Sequence, residues 1–425
     1  MQKIKLFVPK KIKNYYHLFQ AVLANVFYGF PSKKITVIGV TGTNGKTTTC
    51  QMISKILEEA GKKVAMASTI NFKLGEKEWV NKTKFTTTSS FSLQKFIKKA
   101  VEEKCQYLVL ETSSHSLDQY RVWGVDYKTA VITNVTREHL DYHETMDEYR
   151  LAKYRLFEKS KVAVVNLEME KPRDYLLYKI KEKYGYTKKE MDCSKFDCGG
   201  IKIVQAENLE TATSGSEFEI KGEKFHLNIP GEFNIENALA AISVGISEKI
   251  SLENMAKSLE KIKIIPGRME SVPNDKNLNI IIDYALTPDS LEKFYGLISQ
   301  IKNDGRIISV FGSCGDRDRG KRPMMGEIVD KYADFIIVTN EDPYNEDPMQ
   351  IINEVAAGIK NKKEGENFWR ILDRREAIKK ALALASAGDF IAVTGKGAEE
   401  TMMVGTKMIP WNDKKVILEE LKNCN

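Results

Sequence analysis

Cysteine, histidine and long apolar runs are all scarce in this chain of 425 residues. Its six cysteines lie far apart except for Cys193 and Cys198, which suits a reducing cytosol better than a disulfide framework. That pair has no second Cys/His pair nearby, so we expect a surface loop and not a structural zinc site. The net charge is only +7 and the lysines are scattered, which argues against a nucleic-acid surface and favours small anionic ligands.

The first 34 residues hold the one stretch that looks like a targeting signal, because lysines precede an apolar and aromatic run over residues 15–28. His17, Gln20 and Asn25 interrupt that run, no small-residue cleavage pattern follows, and the stretch is too short and too polar to span a bilayer. Two interpretations stay open: a helix packed on the next domain, or a basic amphipathic helix on the inner membrane surface. We expect a cytoplasmic protein, with residues 1–30 available for a peripheral membrane or protein partner.

A glycine-rich loop follows the first apolar strand. Residues 39–49 read GVTGTNGKTTT, and helical spacing begins directly after them. Glycines let backbone N–H groups converge on a phosphate, Lys46 supplies a positive charge, and the Thr47 hydroxyl can ligate Mg²⁺. The glycine spacing departs from the common G-x-x-x-x-G-K pattern, so we predict a nucleoside triphosphate site of a variant class.

Strands and helices alternate from residue 35 onward, with predicted strands at 35–40, 63–67, 107–111 and 129–134. Residues 171–230 are less periodic and predict short antiparallel strands. A second series begins near residue 266, with strands at 279–283, 306–311, 334–339 and 390–394. We predict an α/β fold: a helical extension (1–34), a P-loop central domain with a mainly parallel sheet (35–265) and a Rossmann-like α/β C-terminal domain (266–425).

Three residues near the phosphate loop stand out as candidates for chemistry. Glu111 ends an apolar strand, where α/β sheets place ligand-binding groups, and is our first candidate to share Mg²⁺ with Thr47. Three of the five histidines fall between residues 115 and 143, and among them we single out His139. Lys153 lies on a helix whose spacing alone favours a surface position, although a semi-apolar helix face could desolvate its amine.

These motifs, in this order, resemble those of the Mur ligases over roughly residues 28–420. The shared motifs are TGTNGKTT at 41–48, ETSSH at 111–115, TN at 133–134 with HLDYH at 139–143, Lys153 with LF at 156–157, GEFNIENA at 231–238, PGRME at 266–270 and DYA at 283–285. Within the family, FGSCGDRDRGKRP at 311–323 and GKG at 395–397 are most similar to the UDP-N-acetylmuramoyl-tripeptide synthetase branch.

The resemblance implies an ATP-dependent amide ligase of peptidoglycan synthesis. Such an enzyme adds an amino acid, here a diamino acid such as lysine, to a UDP-MurNAc-dipeptide-like precursor. A carboxylate of the acceptor attacks the γ-phosphate of ATP to give an acyl phosphate, and the amine of the incoming amino acid then displaces phosphate. Small molecules are the implied partners, with no nucleic acid.

The resemblance also implies roles for individual residues. The catalytic group would be Lys46, Glu111, His139 and Lys153. Lys153 would be carbamylated by CO₂, and the two Mg²⁺ sites would draw on Thr47, Glu111, His139 and the carbamate. ATP would be bound by Gly42, Thr43, Asn44, Gly45, Lys46, Thr47, Thr48, Asn237, Arg268 and Asp283. The acceptor peptide would contact Thr86, Thr87, Ser113 and Arg121, and the incoming amino acid would contact Arg317, Glu341, Asp342, Tyr344, Gly395 and Glu399.

Three departures from the family pattern limit what can be carried over. The family usually has a UDP-binding domain where only about 34 residues precede the first strand here. The acceptor head group is therefore bound weakly, held by another protein, or replaced, for instance by a lipid-linked precursor. The Asp-Asn-Pro-Arg motif of diaminopimelate-adding enzymes is EDPY at 341–344, and loss of the arginine clamp disfavours diaminopimelate. Leu286 and Ala398 replace two family histidines.

Two other functions compete with this prediction. A folylpolyglutamate-type ligase would keep the chemistry and change the acceptor, but the motifs around Arg317 and Gly395 argue against it. A nucleotide-binding scaffold without catalysis would have no need of Glu111, His139 and Lys153 beside a phosphate loop.

Overall fold

The computed structural model describes residues 9–177, 179–191, 199–212 and 214–423, so Cys193 and Cys198 lie outside the described part. The chain divides into two compact units. The first comprises residues up to 135 together with 145–263, and the second comprises 136–144 together with 264 onward. A nine-residue segment, Thr136–Glu144, therefore belongs to the second unit, although the residues on both sides of it in the sequence belong to the first. The three-domain division of the sequence stays a prediction.

The strands of the first unit form two sheets. They are β1 (Thr36–Thr41), β2 (Val64–Ala67), β3 (Asn71–Leu74), β4 (Lys77–Val80), β5 (Tyr107–Glu111), β6 (Tyr127–Ile132), β7 (Val162–Asn166), β8 (Glu182–Thr187), β9 (Ile201–Gln205), β10 (Glu207–Ala212), β11 (Gly215–Ile220) and β12 (Glu223–Leu227). The second unit contains β13 (Glu270–Val272), β14 (Asn279–Asp283), β15 (Ile307–Phe311), β16 (Phe335–Thr339), β17 (Phe368–Ile371), β18 (Phe390–Thr394), β19 (Thr401–Val404) and β20 (Lys407–Pro410).

The α-helices follow in chain order, and a short 3₁₀ turn lies at Pro31–Lys34. They are α1 (Lys10–Tyr28), α2 (Lys46–Glu59), α3 (Ser90–Glu102), α4 (Ser114–Asp118), α5 (Leu140–His143), α6 (Met146–Tyr154), α7 (Arg173–Leu176), α8 (Glu232–Ser247), α9 (Leu252–Glu260), α10 (Pro288–Ile301), α11 (Lys321–Tyr332), α12 (Pro348–Ala356), α13 (Arg374–Leu384) and α14 (Asp413–Asn423).

The large sheet of the first unit has nine strands in the order β4-β3-β2-β5-β1-β6-β7-β8-β9. All neighbours from β2 to β9 in this order pair in parallel, and only the β2–β3 and β3–β4 pairs are antiparallel. The prediction of short antiparallel strands over 171–230 is therefore wrong for β8 and β9. It is confirmed for β10, β11 and β12, which form a separate antiparallel sheet. The weak periodicity of β8 arises because both of its faces are covered along most of its length.

Both faces of the large sheet are covered, as parallel sheets require. Alternating residues of β1 show this directly: Ile38 and Val40 join one apolar core with α2, while Val37 joins a second core on the opposite face. The first core also contains the apolar residues of α8, which packs against α2. This sandwich fixes the carboxyl ends of β1, β5 and β6 at one edge, where the phosphate loop begins.

The second unit is built on a six-stranded sheet in the order β13-β14-β18-β15-β16-β17. Its strands are parallel except for the antiparallel β13–β14 pair, so the carboxyl ends of β14, β15, β16 and β18 lie along one edge. The predicted α/β fold with two parallel-rich sheets is confirmed.

Helix α1 belongs to the first unit and packs against α3. Its inward residues Ala21, Ala24 and Asn25 are fully buried. Within the described residues, no helix is both long and apolar enough to cross a membrane.

Candidate active site

The phosphate loop connects β1 to the N-terminus of α2, where unpaired backbone N–H groups and the helix dipole favour an anion. Two of its glycines are required by space and by backbone conformation. A Cβ on Gly42 would lie 1.9 Å from Thr133 Oγ1, and one on Gly45, at φ +81°, would lie 2.2 Å from Asn237 Oδ1. The loop is thus tightly flanked by the end of β6 and by α8, which explains its variant glycine spacing.

Two residues that follow β6 hold this loop in shape. Asn134 Oδ1 accepts a hydrogen bond from the backbone N–H of Asn44 at 2.9 Å, and Thr133 Oγ1 donates to the Asn44 carbonyl at 2.6 Å. Lys46 Nζ donates to the Thr43 carbonyl at 2.9 Å, so its ammonium is folded back over the loop. Sequence analysis gave Thr133 and Asn134 no role, although their position at the carboxyl end of a parallel strand was the available signal.

Glu111 meets Thr47 at the base of the loop. The Thr47 hydroxyl donates to Glu111 Oε2 at 3.0 Å, and Glu111 is 1% exposed. Thr69 donates to the same carboxylate twice, from its backbone N–H at 2.7 Å and from its hydroxyl at 2.9 Å. A hydroxyl and a carboxylate beside a phosphate cradle are hard oxygen donors, so these residues fit Mg²⁺. Thr69 is a further residue of this network that the sequence did not reveal.

Lys153 is buried, 1% exposed, and its amine donates to the carbonyl of Gly42 at 2.9 Å. The amine lies 4.1 Å from the centre of the Tyr149 ring. Burial, and secondarily the charge of Lys46, lower the pKa of Lys153 well below its usual value. The surface position that helical spacing alone favoured is therefore wrong, because helix α6 turns this face toward the phosphate loop and away from solvent.

The residues assigned to the acceptor peptide lie together beside Glu111. Thr87 Oγ1 donates to the Glu111 carbonyl at 2.9 Å and accepts from the Ser113 backbone N–H at 3.1 Å. The Thr86 hydroxyl accepts from Thr69 Oγ1 at 3.1 Å, and the guanidinium of Arg121 donates to the Thr87 carbonyl. These contacts place hydroxyl groups and one guanidinium next to Glu111, the candidate Mg²⁺ ligand.

His139 lies in the segment that joins the second unit. Its backbone is in the left-handed region at φ +59°, and it directly precedes α5. The neighbouring Glu138 is buried and accepts from Lys321 Nζ at 3.0 and 3.3 Å, while the same amine donates to the Leu286 carbonyl at 3.0 Å. Burial lowers the pKa of Lys321, but the charge and hydrogen bond of Glu138, together with nearby Cys314 and Glu341, outweigh it and the net shift is upward. This buried ion pair anchors the histidine segment in the second unit.

Two predicted ATP contacts lie close together at the end of β14. Asp283 Oδ2 accepts from the Met269 backbone N–H at 2.7 Å, and Oδ1 accepts from Ala285 N–H at 2.8 Å. Burial raises the pKa of Asp283, and the guanidinium of Arg268 opposes this shift. The Arg268 guanidinium lies 4.5 Å from the Tyr284 ring centre.

The residues assigned to the incoming amino acid cluster at the carboxyl ends of β15, β16 and β18. Cys314 S–H donates to Glu341 Oε1 at 3.0 Å, while Oε2 is buried without a hydrogen-bond partner. That oxygen lies against Gly395, where a Cβ would approach it to 2.5 Å. Burial, and the charge of Asp342, raise the pKa of Glu341. An unpartnered buried carboxylate oxygen is suited to accept a hydrogen bond from a ligand.

The other members of this cluster are ion-paired or stacked. Lys396, fully buried, donates to Asp342 Oδ1 at 3.0 Å and to Glu399. The Arg317 guanidinium lies 5.4 Å from the Tyr344 ring centre. Lys396 was missed as a site residue, although its place in the GKG motif was a visible signal.

The predicted site residues fall into two groups, one in each unit. The first unit holds the phosphate loop, Glu111, Lys153, the acceptor group and Asn237, and the second holds His139, Arg268, Asp283 and the amino-acid group. Among the described residues, no group of three or more His, Cys, Asp and Glu side chains forms a metal site. The oxygen donors beside the phosphate loop are the Thr47 hydroxyl and the Glu111 carboxylate.

Known proteins share both the sequence and this architecture. Residues 40–245 match the Mur ligase middle domain, and residues 267–397 match the Mur ligase glutamate ligase domain. The chain is 38% identical over 417 residues to UDP-N-acetylmuramoyl-L-alanyl-D-glutamate--2,6-diaminopimelate ligase 1 of Clostridium acetobutylicum, covering 95% of this chain and 81% of that protein. A Clostridium botulinum ligase of the same name is 40% identical over 408 residues, with the same coverage of each chain.

Solved structures agree. A structure of a UDP-N-acetylmuramoyl-L-alanyl-D-glutamate--2,6-diaminopimelate ligase superposes with a TM-score of 0.61 at 28% identity, covering 98% of this chain and 84% of the other. Mycobacterium tuberculosis folylpolyglutamate synthase has a TM-score of 0.69 at 16% identity, covering 89% and 92%, and shares the fold alone. Given the identity and coverage of its relatives, the chain belongs to the Mur ligase family.

Proposed function

We propose that this protein is an ATP-dependent amide ligase that adds a diamino acid to a UDP-MurNAc-dipeptide-like precursor. One observation carries the proposal most directly. The phosphate loop is contacted in the first unit by two groups: the Thr47 hydroxyl is paired with Glu111, and the buried Lys153 amine donates to the carbonyl of Gly42. A nucleotide-binding scaffold would gain nothing from burying a lysine beside a second cation, because that arrangement costs stability.

In the first step, an oxygen of the acceptor carboxylate forms a bond to the γ-phosphorus of ATP while the bond to the β,γ-bridging oxygen breaks and ADP leaves. Both reactants are anions, so charge neutralisation and alignment matter most. Lys46 and the N-terminus of α2 supply positive potential to the phosphates. Thr47 and Glu111 would hold Mg²⁺, which neutralises phosphate charge when bound. Thr86, Thr87, Ser113 and Arg121 would orient the peptide end of the acceptor.

The lowered pKa of Lys153 supports its carbamylation. A neutral amine is the form that attacks CO₂, forming an N–C bond and releasing one proton, and burial beside Lys46 favours that form. The product is an anion with oxygen donors next to the Gly42 carbonyl that the amine now contacts. We assign it, with Glu111 and His139, to a second Mg²⁺ site.

In the second step, the neutral amine of the incoming amino acid forms a bond to the acyl carbon, the bond from that carbon to the phosphate oxygen breaks, and phosphate leaves with the proton that the amine loses. The second unit supplies the residues that would bind this substrate: Arg317, Glu341, Asp342, Tyr344, Gly395 and Glu399. The unpartnered oxygen of Glu341 suits an ammonium donor, which every diamino acid carries. Tyr344 offers no bidentate clamp for a second carboxylate, so we expect lysine in preference to the diaminopimelate named in its relatives.

Substrate preference is tested by incubating the protein with ATP, Mg²⁺, UDP-MurNAc-dipeptide and a mixture of amino acids, followed by mass spectrometry. The expected product carries one added lysine, with stoichiometric ADP, and Lys46→Ala abolishes it. Exclusive addition of diaminopimelate would overturn the lysine assignment. Addition of glutamate to folate, with no reaction on the muropeptide, would overturn the acceptor. ATP binding without turnover on either acceptor would favour the scaffold.

The location follows from the same proposal, whereas the role of residues 1–30 is a separate assignment. We assign the enzyme to the cytoplasm, because both of its substrates, ATP and a nucleotide-linked precursor, are available there. For residues 1–30 we assign a peripheral role outside the chemistry, in attachment to the inner membrane face or to another protein.

A further inference from the structure

Helix α1 is packed with its polar and small side chains inward. Asn25 is fully buried, and its amide donates to the Ala21 carbonyl at 2.9 Å and to the Trp123 carbonyl at 2.7 Å. Ala21 and Ala24 are also fully buried. This pattern is the reverse of an ordinary amphipathic surface helix, which turns its large apolar residues toward the core.

Both ends of the helix are fixed to the first unit. At the start, Asn14 donates to the Asp118 carbonyl at 3.1 Å, and the Lys10 ammonium lies 3.5 Å from the Asp118 carboxylate. Just past its end, the Ser32 hydroxyl donates to the Gly124 carbonyl at 3.2 Å and accepts from the Asp126 backbone N–H at 3.1 Å. These contacts leave the helix no freedom to roll its apolar residues inward.

The outward face is a continuous row of large apolar and aromatic side chains, which we call the outer stripe. Its members share one face of the helix and are exposed by 44% to 74%: Ile12, Tyr15, Tyr16, Phe19, Leu23, Val26 and Phe27. The stripe is roughly 22 Å long at the rise of an α-helix. Trp123, which holds Asn25, is 37% exposed. A row of this size on a fixed helix marks an interaction surface.

The charged side chains of helix α1 are all positive. Residues 10–28 contain no aspartate or glutamate. At about 100° per residue, Lys11 and Lys13 flank Ile12 on the two sides of the stripe, and both are exposed. Lys33 and Lys34, also exposed, follow in the 3₁₀ turn at its other end. An apolar stripe rich in aromatic residues and framed by lysines complements a bilayer surface with anionic headgroups.

We propose that the outer stripe docks on an anionic lipid bilayer, with α1 lying in the plane of the interface. Tyr15, Tyr16, Phe19 and Phe27 enter the headgroup region, and Lys11 and Lys13 contact lipid phosphates. A second copy of this chain fits less well, because α1 carries no acid that could neutralise the lysines of its twin. The docking does not depend on the ligase reaction, so each proposal can be tested without the other.

Flotation of the full-length protein with lipid vesicles tests the docking. We expect binding to vesicles containing phosphatidylglycerol, little binding to pure phosphatidylcholine, and loss of binding as salt is raised. Lys11→Glu combined with Lys13→Glu should weaken binding by roughly tenfold or more. Phe19→Glu combined with Phe27→Glu should abolish it, whereas Leu177→Glu, at a site of the first unit that is 78% exposed, should leave it unchanged.

Circular dichroism and ATP binding of each variant establish that it is folded, since none of these residues is assigned to catalysis. Absence of binding to anionic vesicles by the folded wild type would overturn the proposal. An equal loss of vesicle binding in the Leu177→Glu variant would show that the effect is not specific to the outer stripe, and would overturn the proposal. A concentration-dependent dimer in sedimentation velocity that Phe19→Glu with Phe27→Glu disrupts, without vesicle binding, would assign the stripe to self-association instead.

Discussion

Lys153 is buried at a cost to the fold, and it is also the residue to which we assign the carbamate. Its amine is buried on the phosphate loop, hydrogen-bonded to Gly42, and its pKa is lowered by burial and by Lys46. A buried lysine of this kind lowers the free energy of unfolding while it remains unmodified. Glu341 is a second example of a costly buried group, since one of its carboxylate oxygens has no hydrogen-bond partner.

Replacing Lys153 with methionine should separate these two effects. We expect ligation to be lost, with no restoration by bicarbonate, and the unliganded protein to gain about 1 kcal/mol in free energy of unfolding. A lowered pKa means that the unfolded chain binds the proton more tightly, so the wild type gains stability as pH rises toward 10.5. The advantage of Lys153→Met is therefore greatest at low pH and shrinks toward pH 10.5. Urea denaturation in CO₂-free buffers at several pH values measures it.

The matched control is Lys159→Met, because Lys159 is exposed in the segment just after the same helix. This variant should keep both activity and stability. Near-normal ligation by Lys153→Met would contradict the carbamate assignment, and a gain in stability that does not vary with pH would contradict the role of the buried charge.

At the scale of elements, the site depends on where strands end and helices begin. The β1–α2 connection forms the phosphate cradle, the ends of β5 and β6 supply Glu111, Thr133 and Asn134, and α8 closes the cradle through Asn237. The loop can pass between these walls only because its glycines lack Cβ atoms. In the second unit, the residues assigned to the incoming amino acid likewise lie at the carboxyl ends of parallel strands, here β15, β16 and β18.

Gly45→Ala tests the tight fit of the cradle. The added Cβ would meet Asn237 Oδ1 at 2.2 Å in a backbone conformation that L-residues rarely adopt. We expect nucleotide binding, measured by calorimetry with a non-hydrolysable ATP analogue, to weaken by at least about 100-fold, which corresponds to roughly 3 kcal/mol. Gly61→Ala is the control, since its φ of +76° is similar but nothing lies within 4 Å of the new Cβ. Comparable losses in both variants would attribute the effect to backbone strain alone.

At the scale of the whole molecule, the two units do not follow two continuous stretches of sequence. Thr136–Glu144 belongs to the second unit, although it lies between β6 and α6 of the first. Inside the second unit it is held by the buried Lys321–Glu138 pair and by Arg137, whose Nε lies 3.4 Å from Asp318 Oδ2. The position of His139 therefore depends on a lysine about 180 residues away in sequence.

Lys321→Met should destabilise the second unit by about 3–5 kcal/mol, because it leaves the Glu138 carboxylate buried without its partner. The raised pKa of Lys321 means that the pair stabilises below pH 10.5 and is lost as pH rises through the higher folded value. Hydrogen exchange should show faster exchange in residues 136–144. Adding Glu138→Gln should recover most of the lost stability. Failure of the second substitution to recover any would indicate that Lys321 acts through the Leu286 carbonyl instead.

The sequence by itself was enough to predict the phosphate loop, the alternation of strands and helices, and the family. Each of these depends on residues close together in the chain: the spacing of glycines, the periodicity of apolar residues, and short motifs in a fixed order. It also placed Glu111 correctly at a strand end. Only the tertiary structure decided the burial of Lys153, the orphaned oxygen of Glu341, the Lys321–Glu138 pair and the outward stripe of α1. Each of these depends on which surface a helix or strand turns toward a distant neighbour, and neither helical spacing nor residue type fixes that direction.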